Sequence, residues 1–119
     1  MDDSAPVRKA VRPLFDTHPH FEVCGEAEHG REAIEKASLL QPDLIILDLS
    51  MPVMNGLEAA PLLMKSLPQV CIILFTSHED AEVHRLSRRV GIHAVVPKSK
   101  AATHLVSQAH VLLNLDAAA

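Results

Sequence analysis

The chain has 119 residues, 48% of them hydrophobic and only 3% aromatic, which points to one domain with a core of Leu, Ile, Val and Ala. Its formal charge is −4 with a pI near 6.0, and no stretch gathers Lys and Arg, which argues against direct nucleic-acid contact. The longest apolar runs are too short to cross a bilayer and the N-terminus lacks a signal-peptide pattern, so a cytoplasmic protein is expected.

In chain order, Val7, Ala10, Val11, Leu14 and Phe15 recur at helical spacing, with Ser4 as a cap and Pro6 in the first turn. Pro13 lies late in this helix and predicts a bend or an early end. Thr17-His18-Pro19-His20 reads as a turn and 21–25 as a short strand. A second helix over 30–40 places Ala33, Ile34, Ala37 and Leu40 on one face and ends at Gln41-Pro42. Leu44-Ile45-Ile46-Leu47 then runs into Asp48. A continuous apolar run of this length, between Pro42 and the Pro52 to Gly56 stretch, predicts a strand buried on both faces with a carboxylate at its tip.

Leu57, Ala60, Met64 and Leu67 mark a third helix, which Pro61 is expected to interrupt and Pro68 to close. Val70-Cys71-Ile72-Ile73-Leu74-Phe75 is another apolar strand, ending in Thr76-Ser77. A more polar helix over 79–90 stops at Gly91. Ala94-Val95-Val96 is a last short strand before Pro97-Lys98. Leu105, Ala109 and Leu112 give a final helix, ahead of a weakly structured tail over 116–119. Residues 1–119 thus form one domain, with 1–115 as its ordered core. Cys24 and Cys71 fall in strand-like runs without metal-ligand spacing and read as two reduced core thiols.

Alternation of helix and strand predicts an α/β fold, a doubly wound parallel sheet with helices on both faces. Such sheets carry their chemistry at the carboxyl ends of the strands. Asp48, Thr76 and Lys98 stand at three of those ends, and Asp2 and Asp3 would join them if a preceding strand ran alongside. Singly, each has a commoner reading: a turn cap, a strand-end hydroxyl, a solvated lysine. Their coincidence at one edge favours function. Clustered carboxylates repel, and a hard cation such as Mg²⁺ resolves the conflict with oxygen ligands. A carboxylate that shares such a cation with a phosphoryl donor can act as a nucleophile. An ammonium and a hydroxyl would then offset charge on the phosphoryl oxygens.

Four stretches, "DDSAPVRKAV", "GREAIEKASLLQPDLIILDLSMPVMNGLEA", "IILFTS" and "VVPKSKA", have the order and spacing of the receiver domain of two-component response regulators, which the whole chain resembles. The resemblance implies a flavodoxin-like sheet of strand order 2-1-3-4-5. It implies Asp48 as phosphoacceptor, Asp2 and Asp3 as the acidic pair of the metal site, Thr76 as switch hydroxyl and Lys98 as the phosphate-contacting lysine. Mg²⁺ would be held by Asp3, Asp48 and the Ser50 backbone carbonyl, with Asp2 acting mainly through water. The phosphoryl donor would be a sensor histidine kinase or a phosphotransfer protein.

Several positions depart from the family. Receivers begin with an apolar strand ending in a residue, commonly Val, that here is Met1, so the first strand is expected to be missing and to be encoded upstream of a misread start. A stop codon directly upstream of Met1 would overturn that expectation. Lacking its central strand, the sheet should rearrange, exchange elements with a second copy to form a dimer, or aggregate. Val95 stands where an aromatic often moves with the switch hydroxyl, and the chain has no Tyr or Trp. Ser50 and His78 occupy the positions associated with dephosphorylation rate, and Ser99 replaces the frequent Pro after the lysine. The eight histidines are scattered and read as solvated, as do Arg85, Arg88 and Arg89, for which a partner contact is the second reading.

The leading expectation is a phosphoacceptor signalling domain. The alternative is a receiver-like interaction or dimerisation module that is not phosphorylated. Ser50 stands where an aspartyl phosphatase needs a second carboxylate, so the chain is not read as a conventional enzyme.

Overall fold

Alternation along each apolar run sends successive side chains to opposite sides of a sheet, and here both sides are covered by helices. The computed structural model of the protein describes residues 1–77, 80–100 and 102–113. Its elements are α1 (Ala5–Asp16), α2 (Gly30–Leu40), β1 (Leu44–Leu47), α3 (Gly56–Ser66), β2 (Cys71–Thr76), α4 (Ala81–Val90), β3 (Ala94–Pro97) and α5 (Ala102–Leu112). The strands lie in the order β1-β2-β3, all parallel. Leu44 to Leu47 face Cys71 to Leu74, and Ile73 to Thr76 face Ala94 to Pro97.

Ile45, Leu47, Ile72 and Leu74 pack against Ala37 of α2, Ala59, Ala60 and Leu63 of α3 and Val83 of α4. Ile73, Phe75 and Val96 pack on the other face against Phe15 of α1 and Leu105 and Ala109 of α5. Each fully buried Leu or Ile is worth about 1.5–3 kcal/mol over its exposed state, so the two layers hold the strands in register. A one-residue slip would send both sets to the wrong layer. The doubly wound architecture with helices on both faces is therefore as expected.

The caps follow local chemistry. Ser4 Oγ accepts from the Val7 N–H at 3.4 Å at the start of α1, and Asp80 Oδ1 accepts from the Val83 N–H at 2.9 Å at the start of α4. Asn55 and Glu58 form a reciprocal capping box on α3. Gly91, at φ 92°, closes α4 in the left-handed region.

Four expectations need correction. Helix α1 does not end early at Pro13 but runs three residues past it, and the Pro13 carbonyl accepts from the Thr17 N–H and hydroxyl. Helix α3 passes through Pro61, which is exposed, because the capping box and the burial of Ala59, Ala60 and Leu63 outweigh one missing donor. Cys24 is exposed and Cys71 half-buried, so neither is a core thiol. The fourth concerns 21–25, which is not a strand. The beginning predicted for the fourth helix at 79, His78 and the tail over 116–119 lie outside the described residues.

A strand needs a ladder partner, and beside 21–25 there is a cavity of about 540 Å³ instead, bordered by Val11, Phe15, Phe21, Val23, Leu44 and Ile46. This is the place of the strand that the doubly wound order puts between 21–25 and β1. Only its last rung is bridged among the described residues. The Met1 ammonium donates to the Ile46 carbonyl at 2.7 Å, the Asp48 N–H donates to the Met1 carbonyl at 2.9 Å, and the Asp2 N–H donates to the Ala27 carbonyl at 2.9 Å.

Burial pushes the Met1 ammonium down to about 6, with the neighbouring Asp2 charge opposing the shift. A group whose pKa is lower folded than unfolded binds fewer protons in the native state, so stability rises with pH across that window. Denaturant unfolding should show a gain of about 2 kcal/mol from pH 6 to pH 8 from this group, and acetylating the α-amino group should remove that part of the gain. Val53 sits at φ 69° in the exposed loop between β1 and α3, a conformation that a β-branched residue tolerates poorly. Val53→Gly should raise stability by about 1 kcal/mol, read as a higher denaturation midpoint with unchanged slope.

Candidate functional site at the carboxyl edge of the sheet

Asp48 follows β1 directly, Thr76 ends β2, and Lys98 follows β3 by one residue, so parallel pairing alone brings three distant positions to one edge. The register fixes their spacing: Thr76 lies opposite Pro97, and the Lys98 N–H donates to the Thr76 carbonyl at 2.8 Å. Asp2 arrives by the backbone bridge through Met1, and Ser4 then starts α1 away from the edge. The Ser4 N–H donates to Asp2 Oδ1 at 2.9 Å, and the Arg8 guanidinium donates to the Asp2 carbonyl. Arg8 is held in turn by Glu26 at 3.2 Å, while Glu26 also takes Arg12 at 2.5 Å.

Asp2 and Asp48 are buried, Asp3 is exposed, and carboxylate oxygens of all three lie within 4.8 Å of one another. Lys98 Nζ donates to Asp2 Oδ2 at 2.7 Å and lies 3.3 Å from Asp48 Oδ1. Its ammonium also stands 5.9 Å from the Phe75 ring centre, within cation–π range. Burial raises the Asp48 pKa, the Asp2 charge adds to the rise, and Lys98 opposes it. For Lys98, burial works against the charge, but the Asp2 hydrogen bond with the Asp48 and Asp2 charges outweighs it and holds the pKa above its ordinary value. A buried pair of acids is thus kept together by one shared cation.

The loop after Asp48 is drawn tight. The Gly56 N–H donates to the Leu49 carbonyl at 2.9 Å, and a Cβ on Gly56 would collide with the Asp48 carbonyl. Glycine at 56 therefore lets α3 start directly beneath the phosphoacceptor candidate. Ser50 is exposed in this loop, two residues past Asp48.

Of the positions singled out in the sequence, Asp2, Asp3, Asp48 and Lys98 converge side chain to side chain. Thr76 is fully buried at the same edge. Val95 is half-buried in β3. Sequence reasoning passed over Arg8, Phe75 and Gly56. Arg8 carried a signal, since a basic residue about one turn into the helix can reach back to the acidic segment before it, and here it donates to the Asp2 carbonyl. Three carboxylates with oxygen donors alone suit a hard dication such as Mg²⁺.

Comparison with known proteins agrees with this fold. The family model described as the response regulator receiver domain matches residues 1–110. The chain is 46% identical over 83 residues to the protein-glutamate methylesterase/protein-glutamine glutaminase of Geobacillus kaustophilus, covering 69% of this chain and 24% of that protein. It is 40% identical over 103 residues to the response regulator protein VraR of Staphylococcus aureus, covering 86% of this chain and 49% of that one. The chain thus spans between a quarter and a half of the length of these relatives. Among solved structures, the response regulator domain of Thermotoga maritima CheB superimposes with a TM-score of 0.87 at 32% identity, covering 95% of this chain and 92% of that one. Vibrio cholerae CheY4 superimposes with a TM-score of 0.83 at 29% identity, covering 93% and 92%. Matched along nearly its whole length in sequence and in fold, the chain belongs to the response regulator receiver domain family.

Proposed function

We propose that this domain is a phosphoacceptor of two-component signalling that takes a phosphoryl group onto Asp48 and then changes its contacts with partner proteins. The observation that supports it best is the Lys98 ammonium held 2.7 Å from Asp2 and 3.3 Å from Asp48, with Asp3 within reach. Such a cluster has little structural value, since buried ionic groups are usually no more stable than apolar ones of the same size.

In this reading an Asp48 carboxylate oxygen attacks the phosphorus of a phosphohistidine on a sensor kinase or phosphotransfer protein. The nitrogen–phosphorus bond breaks, the imidazole keeps the electron pair and takes a proton, and an acyl phosphate remains on Asp48. Lys98 transfers its interaction from Asp48 to a phosphoryl oxygen, and Thr76 donates a hydrogen bond to another. Asp2, Asp3, Asp48 and the Ser50 backbone carbonyl would hold Mg²⁺, which when bound neutralises phosphoryl oxygens. Residues 1–119 act as one receiver domain in the cytoplasm, without nucleic-acid contact of their own, and signal through the face of α4, β3 and α5. With Val95 in place of an aromatic, that face responds through Thr76 and its backbone rather than a ring swing. The domain is a phosphoacceptor with self-dephosphorylation rather than a conventional enzyme.

One observation favours a second reading, a receiver-like module acting by dimerisation or exchanged elements without phosphorylation. The cavity beside β1 leaves most of that strand's outer edge without a ladder partner among the described residues.

Incubation with acetyl phosphate and Mg²⁺ should add one phosphoryl group by mass, and Asp48→Asn should abolish the gain. No gain, together with a concentration-dependent dimer by light scattering, supports the second reading. Asp48→Asn removes a buried like charge beside Asp2. Without Mg²⁺ it should therefore stabilise the fold by about 1 kcal/mol in denaturant unfolding. Lys98→Ala should cost about 2–3 kcal/mol by the same measurement, because two buried carboxylates lose their cation.

A further inference from the structure

We infer that His18, His20 and His110 form a second metal site, one that takes Zn²⁺ and ties the turn after α1 to α5. The fold brings together three histidines that looked scattered in the sequence. His18 Nε2 and His110 Nε2 approach to 2.9 Å across 92 residues of chain. Ring nitrogens of all three lie within 4.8 Å of one another. His18 and His110 are half-buried and His20 is exposed, so the group is neither a core cluster nor a set of solvated side chains.

The surroundings hold the rings in place. The His18 and His110 ring centres are 4.4 Å apart, and Phe21 packs at a tilt 5.1 Å from His18 and edgewise 5.2 Å from His110. Phe15 backs Phe21 at 5.0 Å. These phenyl rings shield one side from water, while His20 leaves the other open. Two imidazole nitrogens at 2.9 Å share one proton when no metal is bound. With Zn–N bonds of about 2.0–2.1 Å, tetrahedral ligands stand about 3.3 Å apart, so the pair needs to separate only slightly. Ligation through His18 Nε2 moves its proton to Nδ1, which releases the weak 3.3 Å hydrogen bond that the His20 N–H donates there. Freed from it, the turn can bring His20 in. The fourth position belongs to water or an outside donor.

This site is distinct from the acidic one in place and in chemistry. Helix α1 begins three residues after Asp2 and runs 12 residues to the histidine turn, a span of roughly 18 Å. Imidazole nitrogens select Zn²⁺ and its neighbours in the transition series, whereas the carboxylate edge suits Mg²⁺. Zinc therefore binds here in the presence of excess Mg²⁺.

The test is equilibrium dialysis of the full chain against Zn²⁺ in excess Mg²⁺, with zinc K-edge absorption on the loaded protein. Expected are one zinc per chain, a shell fitted by imidazole nitrogens at about 2.0–2.1 Å, and a raised melting temperature. His20→Asn, at an exposed position that leaves the packing alone, should weaken zinc affinity by more than about tenfold, and His110→Gln should do the same. Asp48→Asn should retain the zinc. Unchanged affinity in folded His20→Asn, or a shell of oxygens lost with Asp48→Asn, overturns the proposal.

Discussion

Two buried carboxylates drawn to one ammonium are the constraint around which the functional end of this molecule is arranged. Asp2 and Asp48 carry like charges side by side, burial makes the ionised form of Asp48 costly, and both pair with Lys98. That pairing joins the start of α1, the end of β1 and the end of β3. It also explains why the surrounding backbone is so closely tied. The Ser4 N–H and Arg8 brace Asp2, the Thr76 carbonyl takes the Lys98 N–H, and Gly56 lets α3 begin against the Asp48 carbonyl.

The sheet delivers these groups, but most of its strength comes from elsewhere. Its strength lies in the alternation of Ile45, Leu47, Ile72 and Leu74 toward one helical layer and Ile73 and Phe75 toward the other. Parallel strands buried on both faces cannot slip without exposing apolar surface, so the carboxyl ends stay aligned. The weak flank is the cavity beside β1, spanned among the described residues only at its last rung by Met1 and Asp2. The acid nearest that flank is thus held by few backbone bonds, while Asp48 and Lys98 stand on well-packed strands.

Much was legible in the sequence because the signals were local. The run from Leu44 to Asp48 reads as a strand with a carboxylate at its tip, and β1 with Asp48 is what the structure shows. Residues 30–40 read as a helix and are α2, since apolar spacing, its start near Gly30 and Gln41-Pro42 all agree. The failures come from competition with tertiary packing. Pro13 and Pro61 each remove one donor, but the helices around them are held by caps and buried faces. The stretch 21–25 has strand composition, yet a strand exists only through its neighbour, and its neighbour's place is a cavity.

By itself, then, the sequence determined the α/β alternation, the apolar faces and the polar residues at the strand ends, because each is written in spacing within one segment. Only the tertiary structure decided which of those residues meet. Pairing register set Thr76 beside Pro97 and so placed Lys98 against Asp2, 96 positions away. The same packing of α1 on α5 brought His18 to His110, which no linear spacing announces. Contacts between distant segments depend on how whole layers seat against each other, and that is a property of the assembled core rather than of any stretch of chain.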